Sequence, residues 1–423
     1  MQKLITSNII PSNHPIKDLP EKLKVRYLKG VGEALSLIEP NSPMGQKAKF
    51  CYDVLCESLL GNIIEGGWAT TKELRNIKQA QNLCRSGLRF FRMSDCFWWD
   101  VYRIAYQSGL PITYDSYEKT FRKTTSMFTK KFREAAKKLF FHGDNGARLP
   151  EILVAQSKEE FLFRQRPLKR ILIVGTMSAG KSTLVNALTG QKIAKVKTTV
   201  CTTTISYLYN NPFCNSAIYS DGTSFIHSNN IDNAFDNIPN KSIKFRGGIE
   251  KQPLLIIDTP GVDYAYDESH RKITYDAIKR GDYDMLICVN NGPYIERNGE
   301  NELINFVLQQ RNRKIVFIFN QLDRFDPADD SIEESLKQFK AFLKSRKCEA
   351  TVVPFSGKTA YLLKKELDGD LSKFDSIELK ALKEKMSSLF YDLGMYGTGI
   401  CSSEGDYFAR CGLTNLETII MNQ

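Results

Sequence analysis

The sequence predicts an α/β domain, with a mostly parallel sheet and helices on both faces, preceded by an all-α helical domain. After residue 170, short β-branched apolar runs alternate with helical stretches, which is typical of a buried parallel sheet. Before residue 165, apolar residues recur instead at three- and four-residue spacing. The five apolar runs are ILIV (171–174), LLIID (254–258), MLICVN (285–290), KIVFIFN (314–320) and ATVVPFS (350–356).

The chain is therefore divided into a helical interaction domain (1–165) and an α/β domain (166–423) with a helical insertion around 359–410. Helices are predicted over 21–39 and 45–64, with a break at "PNSP" (40–43). The aromatic stretch "SDCFWWDVY" (94–102) fits a buried packing cluster better than an interfacial anchor.

Charge is distributed unevenly along the 423 residues. The net charge is +11, and residues 1–165 carry 26 Lys/Arg against 17 Asp/Glu. The first domain is therefore the better candidate to meet an acidic surface. No helix-turn-helix or zinc-finger pattern is legible, which argues against nucleic acid as the partner.

Composition also bears on location. No apolar run approaches the roughly 20 residues of a membrane span, and the N-terminus lacks the apolar core of a signal peptide. Ten scattered cysteines without a C-x-x-C pair indicate reduced thiols. We expect a cytoplasmic protein, with peripheral attachment to the inner membrane as an open possibility.

Residues 115–141 form the longest helical pattern and leave two interpretations open. Five apolar residues share one stripe while eight Lys/Arg cover the other faces. Such a helix can lie on an anionic membrane surface, or its stripe can be the core of a bundle. The neighbouring helical segments favour the bundle.

A phosphate-binding loop follows the first apolar run, at "GTMSAGKST" (175–183). The spacing Gly175-x4-Gly180-Lys181-Ser182, after a strand and before a helix, lets backbone N–H groups converge on phosphate oxygens. Lys181 is predicted to reach the β- and γ-phosphates and Ser182 to bind Mg²⁺. The predicted nucleotide-binding residues of this loop are Gly175, Ser178, Ala179, Gly180, Lys181, Ser182 and Thr183.

Three later motifs, each at the end of an apolar run, select the nucleotide. Asp258 ends one run, where a carboxylate supports the Mg²⁺ shell, and Gly261 can offer its N–H to the γ-phosphate. Asn320, Gln321 and Asp323 follow another, where a carboxylate accepts two hydrogen bonds from guanine. Ser356, Gly357 and Lys358 follow the last and are similar to the loop that contacts guanine O6. Together these motifs predict GTP/GDP and Mg²⁺ as the ligands.

The stretch 171–205 resembles the bacterial dynamin-like large GTPases, and "GTMSAGKST…NALTG" is especially similar to their sliding-clamp-binding branch. The resemblance implies that Thr202, 21 residues after Lys181, completes the Mg²⁺ shell and helps place the attacking water. It also implies that Ser178, with Lys181 and Thr202, stabilises charge in the transition state. The predicted metal ligands are therefore Ser182, Thr202 and Asp258.

The chain departs from this family at two site positions and in length. Gln321 replaces a lysine that normally covers the guanine ring, and Met177 replaces a polar residue that orients water in eukaryotic dynamins. "CGLTNLETIIMNQ" (411–423) resembles the last helix of the GTPase domain, with no stalk after it. We therefore expect a nucleotide-dependent homodimer or a second, stalk-bearing chain.

The sequence thus predicts a dynamin-like GTPase, which hydrolyses GTP to GDP and phosphate with Mg²⁺ and couples this to self-association on a membrane or partner protein. The alternative is a GTP-binding regulatory or scaffold module with little hydrolysis, which Met177, Gln321 and the absent stalk favour.

Overall fold

The computed structural model describes residues 14, 16–35, 38, 42–61, 93–108, 159, 162–163, 165–194, 204–213, 217–221, 225–228, 238–262, 268–292, 298–310, 313–399 and 402–422. The predicted basic helix 115–141 and Thr202 lie outside these residues. No helix within the described ranges is long and apolar enough to span a bilayer.

The described elements alternate as the α/β prediction requires. The strands are β1 Lys169–Gly175, β2 Ser206–Asn210, β3 Ala217–Ser220, β4 Phe225–Ser228, β5 Asn240–Ile243, β6 Leu254–Asp258, β7 Met285–Asn291, β8 Lys314–Asn320 and β9 Thr351–Pro354. The helices are α1 Glu21–Leu35, α2 Pro43–Leu60, α3 Met93–Gln107, α4 Lys181–Thr189, α5 Glu268–Arg280, α6 Asn298–Leu308, α7 Ile332–Ser345, α8 Gly357–Leu367, α9 Lys373–Met386, α10 Leu393–Thr398, α11 Tyr407–Arg410 and α12 Leu413–Met421.

The chain divides into two compact units, Met1–Arg166 with Phe213–His227, and Pro167–Pro212 with Ser228–Gln423. In the first unit α1, α2 and α3 pack on one another. Phe97, Trp99 and Tyr102 are buried there, so the described part of the aromatic stretch lies in the core. Pro43 is not part of the predicted break: it begins α2 because Ser42 caps the helix through Gly45 N.

The second unit contains the mostly parallel sheet that the apolar runs predict, which confirms the α/β fold. Seven of its strands follow the order β5-β2-β6-β1-β7-β8-β9. Strands β6, β1, β7, β8 and β9 run parallel, whereas β2 runs antiparallel to β6. Every residue of β6 and β7 is buried, as strands covered on both faces require.

Because five neighbouring strands are parallel, their carboxyl ends meet at one edge of the sheet. Gly175, Asp258, Asn320 and Pro354 each end a strand there. The antiparallel β2 begins at the same edge, since Ser206 is paired with Asp258. The loops after these strands are therefore neighbours, as expected of a ligand site in an α/β sheet.

A buried ion pair joins the last helix to the rest of this unit. The Lys364 ammonium in α8 donates to Glu417 Oε1 at 2.7 Å and to the carbonyl oxygens of Leu188 and Arg246 at 2.9 and 2.7 Å. Glu417 Oε2 accepts from Gly248 N at 3.0 Å. Burial lowers the pKa of Lys364, and Glu417 opposes that shift. Three acceptors thus surround one ammonium, as a buried charge requires.

We expect Lys364→Met to lower the free energy of unfolding by about 3–5 kcal/mol, because it leaves the Glu417 carboxylate buried without its cation. The matched control is Lys365→Met, since Lys365 pairs with Asp375 in a partly exposed bridge and such pairs contribute about 1 kcal/mol or less. Urea unfolding of both variants checks the difference. Equal losses would contradict the role of the buried pair.

Candidate functional site

The loop between β1 and α4 has the backbone shape of a phosphate-binding loop. Ser178 and Gly180 both adopt positive φ, 63° and 96°, which turns successive N–H groups inward. The Lys181 ammonium is buried and donates to the carbonyl oxygens of Gly175 and Thr176 at 3.0 and 2.8 Å. A Cβ at Gly180 would collide with Asn320 Nδ2, so only glycine fits here.

The loop after β8 is bonded directly to this phosphate loop. Asn320 Nδ2 donates to Ala179 O at 2.9 Å, and Asn320 Oδ1 accepts from Gly357 N at 3.0 Å. Gln321, with φ 66°, donates through Nε2 to Ser178 O at 2.7 Å. The structure therefore brings together the three predicted loops, those at 175–183, 320–323 and 356–358.

Gln321 forms hydrogen bonds that the sequence did not predict from its replacement of a lysine. Besides its bond to Ser178, its Oε1 accepts from Arg324 Nη1 at 2.8 Å. The guanidinium of Arg324 is thereby held beside the loop, one residue beyond Asp323. Sequence reasoning did not single out Arg324, and its only signal is its place next to Asp323.

The Asp323 carboxylate is oriented by the loop after β9. The buried Ser356 hydroxyl donates to Asp323 Oδ1 at 2.6 Å. No other donor contacts this carboxylate within the described part of the chain, so it retains acceptor capacity. The side chain of Lys358, in contrast, forms an ion pair with Glu378 of α9 at 2.8 Å.

Asp258 is a buried carboxylate with an orphan oxygen. Its side chain is 3% exposed, and its Oδ1 has no hydrogen-bond partner among the described residues. Burial raises its pKa to about 6, and Lys181 and Lys241 oppose that shift. A buried anionic oxygen without a donor fits a site for a hydrated divalent cation.

The Asp258 pKa has a consequence for stability in metal-free buffer. Its folded value of about 6 exceeds the ordinary 3.8, so the folded state binds the extra proton between these pH values and stability falls as pH rises through them. Relative to Asp258→Asn, we expect the wild type to lose roughly 2–3 kcal/mol between pH 4 and pH 7. Urea unfolding with EDTA measures this, and a flat difference would contradict it. Asp329→Asn, on the surface, is the control.

The remaining predicted site residues lie near Lys181 or outside the described chain. Ser182 and Thr183 follow it in the first turn of α4. A Cβ at Gly261 would lie 3.1 Å from Lys181 Nζ, so the chain after Asp258 passes the phosphate loop closely. Thr202 lies in the segment 195–203, outside the described residues.

A second polar cluster, in the first unit, was not predicted because its members come from two segments, 14–27 and 96–100, that are 69 residues apart in the chain. His14 Nε2 lies 3.2 Å from Asp100 Oδ2 and 3.6 Å from Cys96 Sγ, and the Tyr27 hydroxyl donates to Asp100 at 2.7 Å. Ile16 N donates to His14 Nδ1 at 3.2 Å, which places the proton of a neutral imidazole on Nε2. That tautomer donates to Asp100 and has no lone pair on Nε2 for a metal, so this is a hydrogen-bonded core.

Comparison with known proteins relates part of this chain to a known family. Residues 171–322 match a family model described as the dynamin family. This segment is similar to that family. The matched segment extends from β1 to residue 322, and so includes the loop at 175–183, Asp258, Asn320 and Gln321 but not Asp323. The chain has no match among the curated proteins.

Solved structures that align with this chain include the following three proteins. An oligomerised bacterial dynamin pair, described as sensing and tethering membranes, aligns at TM-score 0.37 with 19% identity over 74% of this chain and 57% of that one. Era of Aquifex aeolicus bound to GDP·AlF4⁻ aligns at 0.30, with 19% identity over 52% and 57%. Toc33 of Arabidopsis thaliana with GDP and Mg²⁺ aligns at 0.31, with 14% identity over 48% and 78%. This chain thus spans less than two thirds of the first two.

Proposed function

We propose that this chain is a dynamin-like GTPase that hydrolyses GTP to GDP and phosphate with Mg²⁺. The observation that carries the proposal is that Asn320 and Gln321 bond the phosphate loop to the loop at 320–323, which bears the Asp323 carboxylate and is here called the base loop. Asp323, oriented by Ser356, can accept both the N1 and N2 protons of guanine, whereas adenine offers no matching pair of donors. The dynamin family match over 171–322 supports the same proposal.

In this proposal each residue has a defined task. Lys181 and the N–H groups of residues 178–182 bind phosphate oxygens. Ser182, Thr202 and Asp258 would hold Mg²⁺, which supplies charge neutralisation on the phosphates when bound. Ser178 would stabilise charge that develops during phosphate cleavage.

Base recognition would use the two remaining loops. Asp323 selects guanine, while Asn320 fixes the base loop against the phosphate loop. Gly357 and Lys358 would present backbone N–H groups toward guanine O6. The Lys358 side chain is held by Glu378, so the proposal assigns this loop a backbone role.

The proposed output is self-association on a membrane surface or partner protein, controlled by nucleotide. The basic excess in residues 1–165 supports an anionic partner. We propose that the protein is cytoplasmic and peripheral to the inner membrane. Its phosphate loop resembles that of the sliding-clamp-binding branch. The second candidate, a GTP-binding regulatory module, is favoured by the exposed Met177 side chain, which has no polar atom to orient water.

The deciding experiment measures phosphate release from GTP over a range of protein concentrations, with and without anionic liposomes and with ATP as control. Turnover per molecule that rises with concentration supports the dynamin-like enzyme. Tight GTP binding with slow, concentration-independent turnover supports the regulatory module. Preference for ATP would overturn the guanine assignment.

A further inference from the structure

Helix α9 carries two apolar stripes, of which only one is covered. Leu379, Leu382 and Met386 are buried against the domain. Phe374 and Ile377 are 84% and 70% exposed. At 100° per residue these two stripes centre about 140° apart around the helix. A surface helix normally presents a polar face opposite its buried stripe, so α9 is unusual.

The exposed apolar residues of the described chain are concentrated around this helix. Leu367 at the end of α8 and Leu389 just after α9 are 69% and 61% exposed. Together with Phe374 and Ile377 they account for four of the six large apolar side chains that are exposed among the described residues. Such a concentration marks an interaction surface. We use the name α9 stripe for Phe374, Ile377 and Ala381 on the helix together with Leu367 and Leu389, which precede and follow it in the chain.

The charged side chains beside the α9 stripe indicate which partner covers the stripe. Several charged side chains here pair within the chain, including Lys365 with Asp375 and Lys383 with Glu366. Lys373 and Glu384 are exposed and have no ion pair among the described residues. Eleven residues, about 16 Å, separate them along the helix, so they cannot reach each other within one chain.

Lys373 and Glu384 flank the α9 stripe on the same side, one near each end of the helix. When two such helices pack antiparallel about a two-fold axis, equal flanks face each other and the ends are exchanged. Lys373 of one copy then approaches Glu384 of the second, twice. These two charges are therefore complementary in an antiparallel pair of α9 helices, while Lys380, exposed on the same side, lies farther from the stripe.

We infer that a second copy of this chain docks on the α9 stripe, with the two α9 helices antiparallel and Ile377 near the two-fold axis. A single 14-residue helix with two flanking leucines buries less than the roughly 800 Å² per partner of a standard interface. The association is accordingly weak, with a dissociation constant in the micromolar range.

The stripe is also joined to the base-recognition loops. Glu378 pairs with Lys358, and Lys385 Nζ donates to Asp323 O at 3.2 Å. The Tyr391 hydroxyl, just after α9, donates to Phe325 O at 2.8 Å. Docking on α9 thus acts on an element that contacts both loops. The inference does not rest on GTP hydrolysis, and its test uses no nucleotide.

The test is sedimentation equilibrium of the full chain without nucleotide, with four variants. Phe374→Ser is expected to abolish self-association, because it removes the most exposed apolar ring. Lys373→Glu and Glu384→Lys are each expected to weaken it about five- to tenfold, since each places like charges opposite each other twice. The double variant Lys373→Glu/Glu384→Lys is expected to restore wild-type association.

Leu162→Ser is the matched control, since Leu162 is exposed in the other unit, and it is expected to leave association unchanged. A wild type that stays monomeric, including one that binds vesicles through Phe374, would overturn the inference. So would charge variants that the double exchange fails to rescue. Lys181→Ala should still dimerise, which separates failure of this inference from failure of the GTPase proposal.

Discussion

Lys181→Ala is expected to lower GTP turnover at least about 100-fold. The Lys181 ammonium lies inside the phosphate loop, between the carbonyl oxygens of Gly175 and Thr176. In the proposed function this ammonium binds the β- and γ-phosphates and stabilises their charge during cleavage. Alanine removes the cation and leaves the loop glycines in place, so the fold should persist.

Phosphate release at saturating GTP and Mg²⁺ measures this effect, with circular dichroism to check folding. Lys337→Ala is the control, since Lys337 is an exposed lysine of α7, and it should retain full turnover. Unchanged turnover in Lys181→Ala would remove the phosphate-loop assignment.

Asp323→Asn is expected to weaken GTP binding by about 100- to 10,000-fold. The carboxylate would accept two hydrogen bonds from guanine, and each hydrogen bond to a charged group contributes about 1.5–3 kcal/mol. The amide that replaces this carboxylate would present a donor toward the N1 or N2 proton. Ser356 can still donate to the remaining amide oxygen, so the loop should keep its shape.

Titration with a fluorescent GTP analogue measures the loss, and the same titration with an ATP analogue tests its specificity. Affinity for ATP should not change. Asp329→Asn, an exposed aspartate six residues on, should bind GTP like the wild type. An Asp323→Asn protein that binds GTP normally would show that guanine is recognised elsewhere or not at all.

The central strands were predictable because burial on both faces leaves a direct mark on sequence. The runs at 254–258 and 314–320 coincide with β6 and β8, and those at 171–174 and 285–290 lie within β1 and β7. The phosphate loop follows β1 and Asn320 ends β8. Because these strands are parallel, the two lie at the same edge of the sheet. The proximity of the site loops followed from topology.

Strands β2 and β5 were not predictable, because "SYLYN" and "NKSI" are only five and four residues long and mix polar with apolar side chains. Pairing with each other and, for β2, with β6 makes them strands, and this pairing has no local signature. The contact between Gln321 and Ser178 was missed for a different reason. In the sequence, the replacement of lysine by Gln321 indicates only that a contact to the guanine ring is lost. The hydrogen bond of Gln321 to the Ser178 carbonyl depends on the positive φ of Gln321, which the sequence does not show.

The bonds of Asn320 to Ala179 and to Gly357 have a consequence for how this protein can change. The two amide atoms of this side chain connect the loop at 175–183 with the loop at 356–358, and a Cβ at Gly180 would collide with Asn320 Nδ2. In the proposed function, base selection and phosphate binding are therefore coupled through Asn320. A substitution of Asn320 is therefore expected to disturb the loops at 175–183 and 356–358 together.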